Sequence, residues 1–143
     1  LSVDDTAEII SVLQFRFPDI TGPRGEDICY ATTNRQKAVK DVAKNVDLML
    51  VIGASNSSNS QRLVEVAKQA GANEAALIAD KDAIVWEQTD KADHIGLSAG
   101  ASAPESLVQD VIYALAERYD LTVTEQGHIR ETVNFKLPSI LTQ

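Results

Sequence analysis

A chain of 143 residues is long enough to bury a core and short enough for one compact domain. Hydrophobic residues at 44% and charged residues at 24% exclude a disordered chain. The net charge of -8, with thirteen Lys and Arg spread along the sequence, argues against a nucleic-acid partner, because backbone binding rests on clustered cations.

A single cysteine excludes an internal disulfide. No stretch approaches the roughly 18 apolar residues of a membrane span, and no signal peptide is visible, so the expected setting is cytoplasmic, with no membrane partner. The chain opens at Leu1 without a methionine, which suggests a segment of a longer protein.

The first predicted element is a helix. Ser2 suits its N-cap, with Asp4 and Asp5 near the positive end, and Ile9, Val12, Leu13 and Phe17 recur at helical spacing before Pro18. Thr21-Gly22-Pro23-Arg24-Gly25 reads as a linker, so residues 1–25 are separated from a domain at 26–143. After Cys29, Thr33 is expected to cap a second helix bearing Ala38, Val39, Val42 and Ala43.

Asp47 to Gly53 is a short apolar run, suited to a strand buried on both faces. A polar turn at 54–59 leads to a helix bearing Leu63, Val64, Val66, Ala67 and Ala70, closed by Gly71. Ala75 to Ala79 is a second strand, and Asp82 is expected to cap a short helix with Ile84, Val85 and Trp86. His94 to Ser98 is a third strand, followed by a helix bearing Leu107, Val108, Val111, Ile112 and Leu115. Leu121 to Thr124 is read as the last core strand, and Glu131 to Leu137 as a peripheral one. Alternating strands and helices predict an α/β fold, a three-layer sandwich around a short, mostly parallel sheet.

Ligands of such sheets bind beyond the carboxyl ends of the strands. Three segments are expected there: Cys29 to Gln36, Asn56 to Ser60, and Ser98 to Pro104. Hydroxyl and amide side chains beside helix N-termini offer neutral donors to an anion. One Ser or Asn before a helix is ordinarily a cap, but Ser55 to Ser60 supplies six consecutive candidates where capping needs one. Ser102 divides evenly between cap and ligand. Cys29 lies between a Gly/Pro loop and a polar helix start, where a thiolate is stabilised, although one cysteine cannot hold an iron–sulfur cluster. His94 and His128 lack partners at metal-ligand spacing, and Trp86 and Tyr113 read as core or interface residues.

Four ordered motifs resemble the 4-hydroxy-3-methylbut-2-enyl diphosphate reductases: Leu1 to Thr6, Asp27 to Gln36 (DICYATTNRQ), Asn56 to Ser60 (NSSNS) and Ala99 to Pro104 (AGASAP). The resemblance runs to about Pro138. It implies reductive dehydroxylation of an allylic diphosphate to isopentenyl and dimethylallyl diphosphate in the non-mevalonate route to isoprenoids. It also implies a three-domain, trefoil-like enzyme around a [4Fe–4S] cluster held by three cysteines.

In that family Cys29 matches the last cluster ligand, and Ser57, Ser58, Asn59 and Ser102 match diphosphate ligands. The other two cysteines, the diphosphate-binding histidines and the proton-delivering glutamate would lie upstream of Leu1, so no catalytic residue is expected here. Ferredoxin or flavodoxin is the implied electron donor. The helix at Ser2–Phe17 would then end the preceding domain. Rival readings are a free-standing phosphate-ester binding module without a metal, and a structural domain whose caps are only caps.

Overall fold

Leu48-Met49-Leu50-Val51-Ile52 has no polar side chain, and all five residues are buried in the computed structural model, which describes residues 2–22 and 30–126. A strand of this kind is stable only where both faces of its sheet are covered. The chain order meets that demand: α1 (Val3–Arg16), α2 (Tyr30–Ala43), β1 (Leu48–Ile52), α3 (Ser58–Ala70), β2 (Glu74–Ile78), a 3-10 turn (Lys81–Ala83), α4 (Trp86–Thr89), β3 (Ile95–Ala99) and α5 (Glu105–Arg118). The three strands are parallel in the order β2–β1–β3, which places β1 in the centre.

Side chains alternate along a strand, so β1 divides the core in two. Met49 and Val51 pack with Val39 and Ala43 of α2 and with Leu63, Val66 and Ala67 of α3. Leu48, Leu50 and Ile52 pack with Ile78, Ile84 and, from α5, Val111 and Leu115. The result is the expected three-layer α/β arrangement. The sheet's amino edge is tied by Asp47, whose carboxylate accepts from the backbone N–H groups of Asp93 (3.1 Å) and His94 (2.9 Å). The Asp47 N–H donates to the His94 carbonyl, and its own carbonyl accepts from Glu74 N–H, so one residue links the starts of all three strands.

α1 is attached mainly by its first turn. Ser2 and Asp5 form a reciprocal capping box, and the Val3 N–H donates to Gln36 Oε1 at 3.0 Å. Asp4 pairs with Lys40, and Asp5 with Arg62. None of the helical residues is buried, and the apolar set at helical spacing (Ile9, Val12, Leu13 and, just beyond the helix, Phe17) is exposed, with Phe15 at 90%. Helical periodicity identified the element correctly but says nothing about whether a partner surface covers it.

Several boundaries differ from expectation. α2 already runs from Tyr30, so Thr33 lies inside the helix and does not cap it. β2 and β3 are each offset by about a residue from the predicted runs. The cap after β2 is Asp80, whose carboxylate accepts from Asp82 and Ala83 N–H. The predicted short helix is divided between the 3-10 turn and α4, and Ile84 is buried between them. Leu121 to Thr124 is not a strand: the segment is exposed and adds nothing to the sheet, because no fourth strand edge is paired there among the described residues. Tyr113, read as core or interface, is 64% exposed, which removes the core alternative. His128 and Glu131 to Leu137 lie outside the described residues.

The end of α5 is anchored by a polar cluster. The Tyr119 hydroxyl and the Arg118 guanidinium both donate to the Asp90 carboxylate, and Arg118 lies over the Trp86 ring at 5.1 Å. The Tyr119 hydrogen bond, followed by Arg118, holds the Asp90 carboxyl below the usual carboxylate range. A folded-state value below the unfolded one contributes stability above about pH 4 and loses it as pH falls through the lowered value. Asp90→Asn is therefore expected to lower the urea midpoint near neutrality, with the gap from wild type closing in acid. Midpoints from about pH 7 to about pH 2 check this.

Candidate functional site

The carboxyl end of β1 leads through Gly53 into a tight turn, where Ser57 N–H donates to the Ala54 carbonyl at 2.9 Å. Ser57 is then the extended N-cap of α3. Its Oγ accepts twice, from Ser60 N–H at 3.3 Å and from the Ser60 hydroxyl at 3.0 Å. One serine thus does the capping that the sequence requires. Ser58 and Asn59 are exposed, and neither side chain has a hydrogen-bond partner among the described residues. Their amides belong to the first turn, where backbone N–H groups lack an intrahelical acceptor and carry the positive end of the helix dipole.

The carboxyl end of β3 reaches the same place. Gly100 N–H donates to the Ile52 carbonyl at 2.8 Å, joining the ends of β1 and β3. The chain then turns, with Ala103 N–H on the Gly100 carbonyl at 3.0 Å, and exposes Ser102. Pro104, not Ser102, occupies the N-cap of α5, and no side chain caps that helix. The capping explanation for Ser102 is thereby removed.

Close approach at this edge requires glycine. A Cβ on Gly100 would collide with Ser60 Oγ, and one on Gly53 would meet both Ser60 Oγ and, at 2.7 Å, Ser60 Cβ. Ser60 itself is 1% exposed. From α2, Arg35 Nη1 donates to the Ala99 carbonyl at 2.9 Å, which brings the described part of the first predicted segment to the end of β3.

The structure therefore gathers Ser57, Ser58, Asn59 and the turn carrying Ser102 at the carboxyl edge, with Arg35 beside them. Cys29 lies outside the described residues. Among the described residues no three His, Cys, Asp or Glu side chains come together to hold a metal, and His94 is exposed at the opposite, amino edge of the sheet. With one cysteine in the chain, these residues do not fit a complete iron–sulfur cluster. Sequence reasoning placed Arg35 in a carboxyl-edge segment without singling out its role, and missed the buried role of Ser60. A glycine directly after each of two neighbouring strands was the available signal for the second.

The family model described as LytB protein matches residues 1–116. A 4-hydroxy-3-methylbut-2-enyl diphosphate reductase from Gluconobacter oxydans is 55% identical over 141 residues, covering 99% of this chain and 42% of the relative. The reductase of the same name from Hyphomonas neptunium is 58% identical, with 99% and 45% coverage. The solved structure of the E-1-hydroxy-2-methyl-but-2-enyl-4-diphosphate reductase from Plasmodium falciparum superposes with a TM-score of 0.89 at 31% identity, covering 99% of this chain and 45% of that one. The chain thus spans less than half the length of these relatives.

Arg35 is the structural tie between α2 and the turn after β3. Arg35→Met is expected to cost about 1–2 kcal/mol through loss of a charge-assisted hydrogen bond. Urea unfolding of both forms measures it, with Arg35→Lys recovering part of the loss.

Proposed function

The chain belongs to the LytB protein family, and from that premise we propose that it supplies the diphosphate grip of a reductase acting on 4-hydroxy-3-methylbut-2-enyl diphosphate. The reaction is the reductive removal of the substrate's hydroxyl to give isopentenyl and dimethylallyl diphosphate, as a step of isoprenoid formation. Ser58, Asn59 and Ser102 donate to diphosphate oxygens, and Ser57 donates while also capping α3. The observation that carries the reading is the start of α3: two exposed polar side chains, without partners among the described residues, stand on the first-turn amides of a helix. Such a site binds an anion with neutral donors, which suits a chain of net charge -8.

Cys29 contributes one thiolate to a [4Fe–4S] cluster whose remaining ligands come from outside this sequence. When bound, such a cluster supplies electrons and a Lewis-acidic iron. The residues of this chain act at the other end of the substrate, where they fix its position and so limit the approach of its hydroxyl. The proton-donating Glu is likewise supplied from outside the chain. Residues 1–25 form the last helix and linker of a preceding α/β domain, and 26–143 the final domain of a three-domain enzyme. The exposed apolar body of α1 supports that division. The electron donor is a ferredoxin or flavodoxin, and the setting is cytoplasmic; among the described residues no helix is long and apolar enough to cross a membrane.

In a reductase of its relatives' full length, Ser58→Ala and Asn59→Ala are each expected to raise KM about tenfold, the scale of one hydrogen bond to a charged group. Steady-state kinetics and direct titration with substrate provide the measurement; unchanged constants in both would return the segment to capping alone. Anaerobic reconstitution of the 143-residue chain is expected to leave no stoichiometric cluster by iron analysis and absorption. A full cluster on the monomer would overturn the assignment of Cys29 as one ligand among several.

A further inference from the structure

We propose that Ser60 is a positioning residue that turns Ser57 into an obligate hydrogen-bond donor toward the diphosphate, an inference that rests on the grip described above. Ser60 does not touch a ligand. It is 1% exposed, and its hydroxyl donates to Ser57 Oγ at 3.0 Å. The Ser60 N–H donates to the same oxygen at 3.3 Å. A serine hydroxyl has two acceptor lone pairs and one hydrogen. With both lone pairs of Ser57 occupied from below by one residue, only its hydrogen remains to be shared.

That polarity matches the ligand. A diphosphate oxygen only accepts, so a hydroxyl free to act either way must first be oriented, whereas Ser57 is already oriented. The geometry around Ser60 keeps it so. Its Oγ lies where a Cβ on Gly53 or on Gly100 would collide with it, so the hydroxyl is enclosed between the turns that leave β1 and β3. Gly100 N–H is bonded to the Ile52 carbonyl, which closes the enclosure from the sheet side. A threonine at 60 would add a methyl group in this crowded space, so it is not a conservative replacement.

Ser60→Ala removes one oxygen atom and leaves the backbone N–H cap in place, so α3 keeps its start. In the full-length reductase this variant is expected to raise KM for 4-hydroxy-3-methylbut-2-enyl diphosphate about fivefold with kcat nearly unchanged. A grip on the non-reacting end contributes equally to ground and transition states, which is the signature of such a split. Combined with Ser57→Ala, Ser60→Ala should add nothing further, because its effect passes through Ser57. Thermal midpoints of all variants separate this from loss of fold. Additive effects on KM would overturn the proposal, as would an unchanged KM in Ser60→Ala while Ser57→Ala raises it. A silent Ser57→Ala would instead remove Ser57 from the diphosphate grip, and the role of Ser60 with it.

Discussion

The burial of β1 on both faces is the constraint from which the rest of the domain follows. Five consecutive apolar residues have no solvent-tolerant side, so helices must cover both faces of the sheet. α2 and α3 cover Met49 and Val51; α5 and the residues around Ile84 cover Leu48, Leu50 and Ile52. A central strand in a parallel sheet also needs a neighbour on each edge. The chain provides these by placing β2 on one side and returning past β1 to lay β3 on the other. The reversal puts the turns after β1 and β3 side by side, and open α/β sheets bind ligands at such a point.

The two edges of the sheet are treated differently. At the amino edge, Asp47 binds the starts of the three strands through backbone hydrogen bonds, and its carboxylate is taken up by the Asp93 and His94 N–H groups. At the carboxyl edge, the polar groups are layered. Ser60 is buried between glycines and satisfied by Ser57; Ser57 caps the helix; Ser58 and Asn59 are exposed, without side-chain partners among the described residues. Capping and ligand binding are therefore not competing explanations for one serine-rich segment. Ser57 caps α3 while its hydroxyl hydrogen stays available to a ligand, Ser58 and Asn59 take no part in capping, and buried Ser60 supports Ser57 from below.

The proposed diphosphate grip is compatible with an acidic chain. Long-range attraction from a net charge of -8 is unfavourable to a diphosphate. In the proposed grip the binding rests on short-range donors, helix-terminal amides and hydroxyls, rather than on net charge. Rigidity comes from the fold: Arg35 fastens α2 to the end of β3, and Gly100 fastens that end to β1.

The sequence by itself determined the α/β class, the doubly buried strand, the helix start at Ser2, and the surplus of polar residues after β1, although α3 begins at Ser58, inside the stretch read as a turn. Local periodicity and capping chemistry carry that information, because they depend on residues a few positions apart. It overextended the sheet at Leu121 to Thr124 and placed a cap at Thr33, and it could not choose between core and interface for Tyr113, since short apolar or polar patterns do not reveal which surfaces meet. Only the tertiary structure decided that Ser102 is not a cap, that Arg35 reaches Ala99, and that Ser60 fills the gap left by Gly53 and Gly100. Those relations join residues from separate elements, and their geometry exists only once the strands have paired.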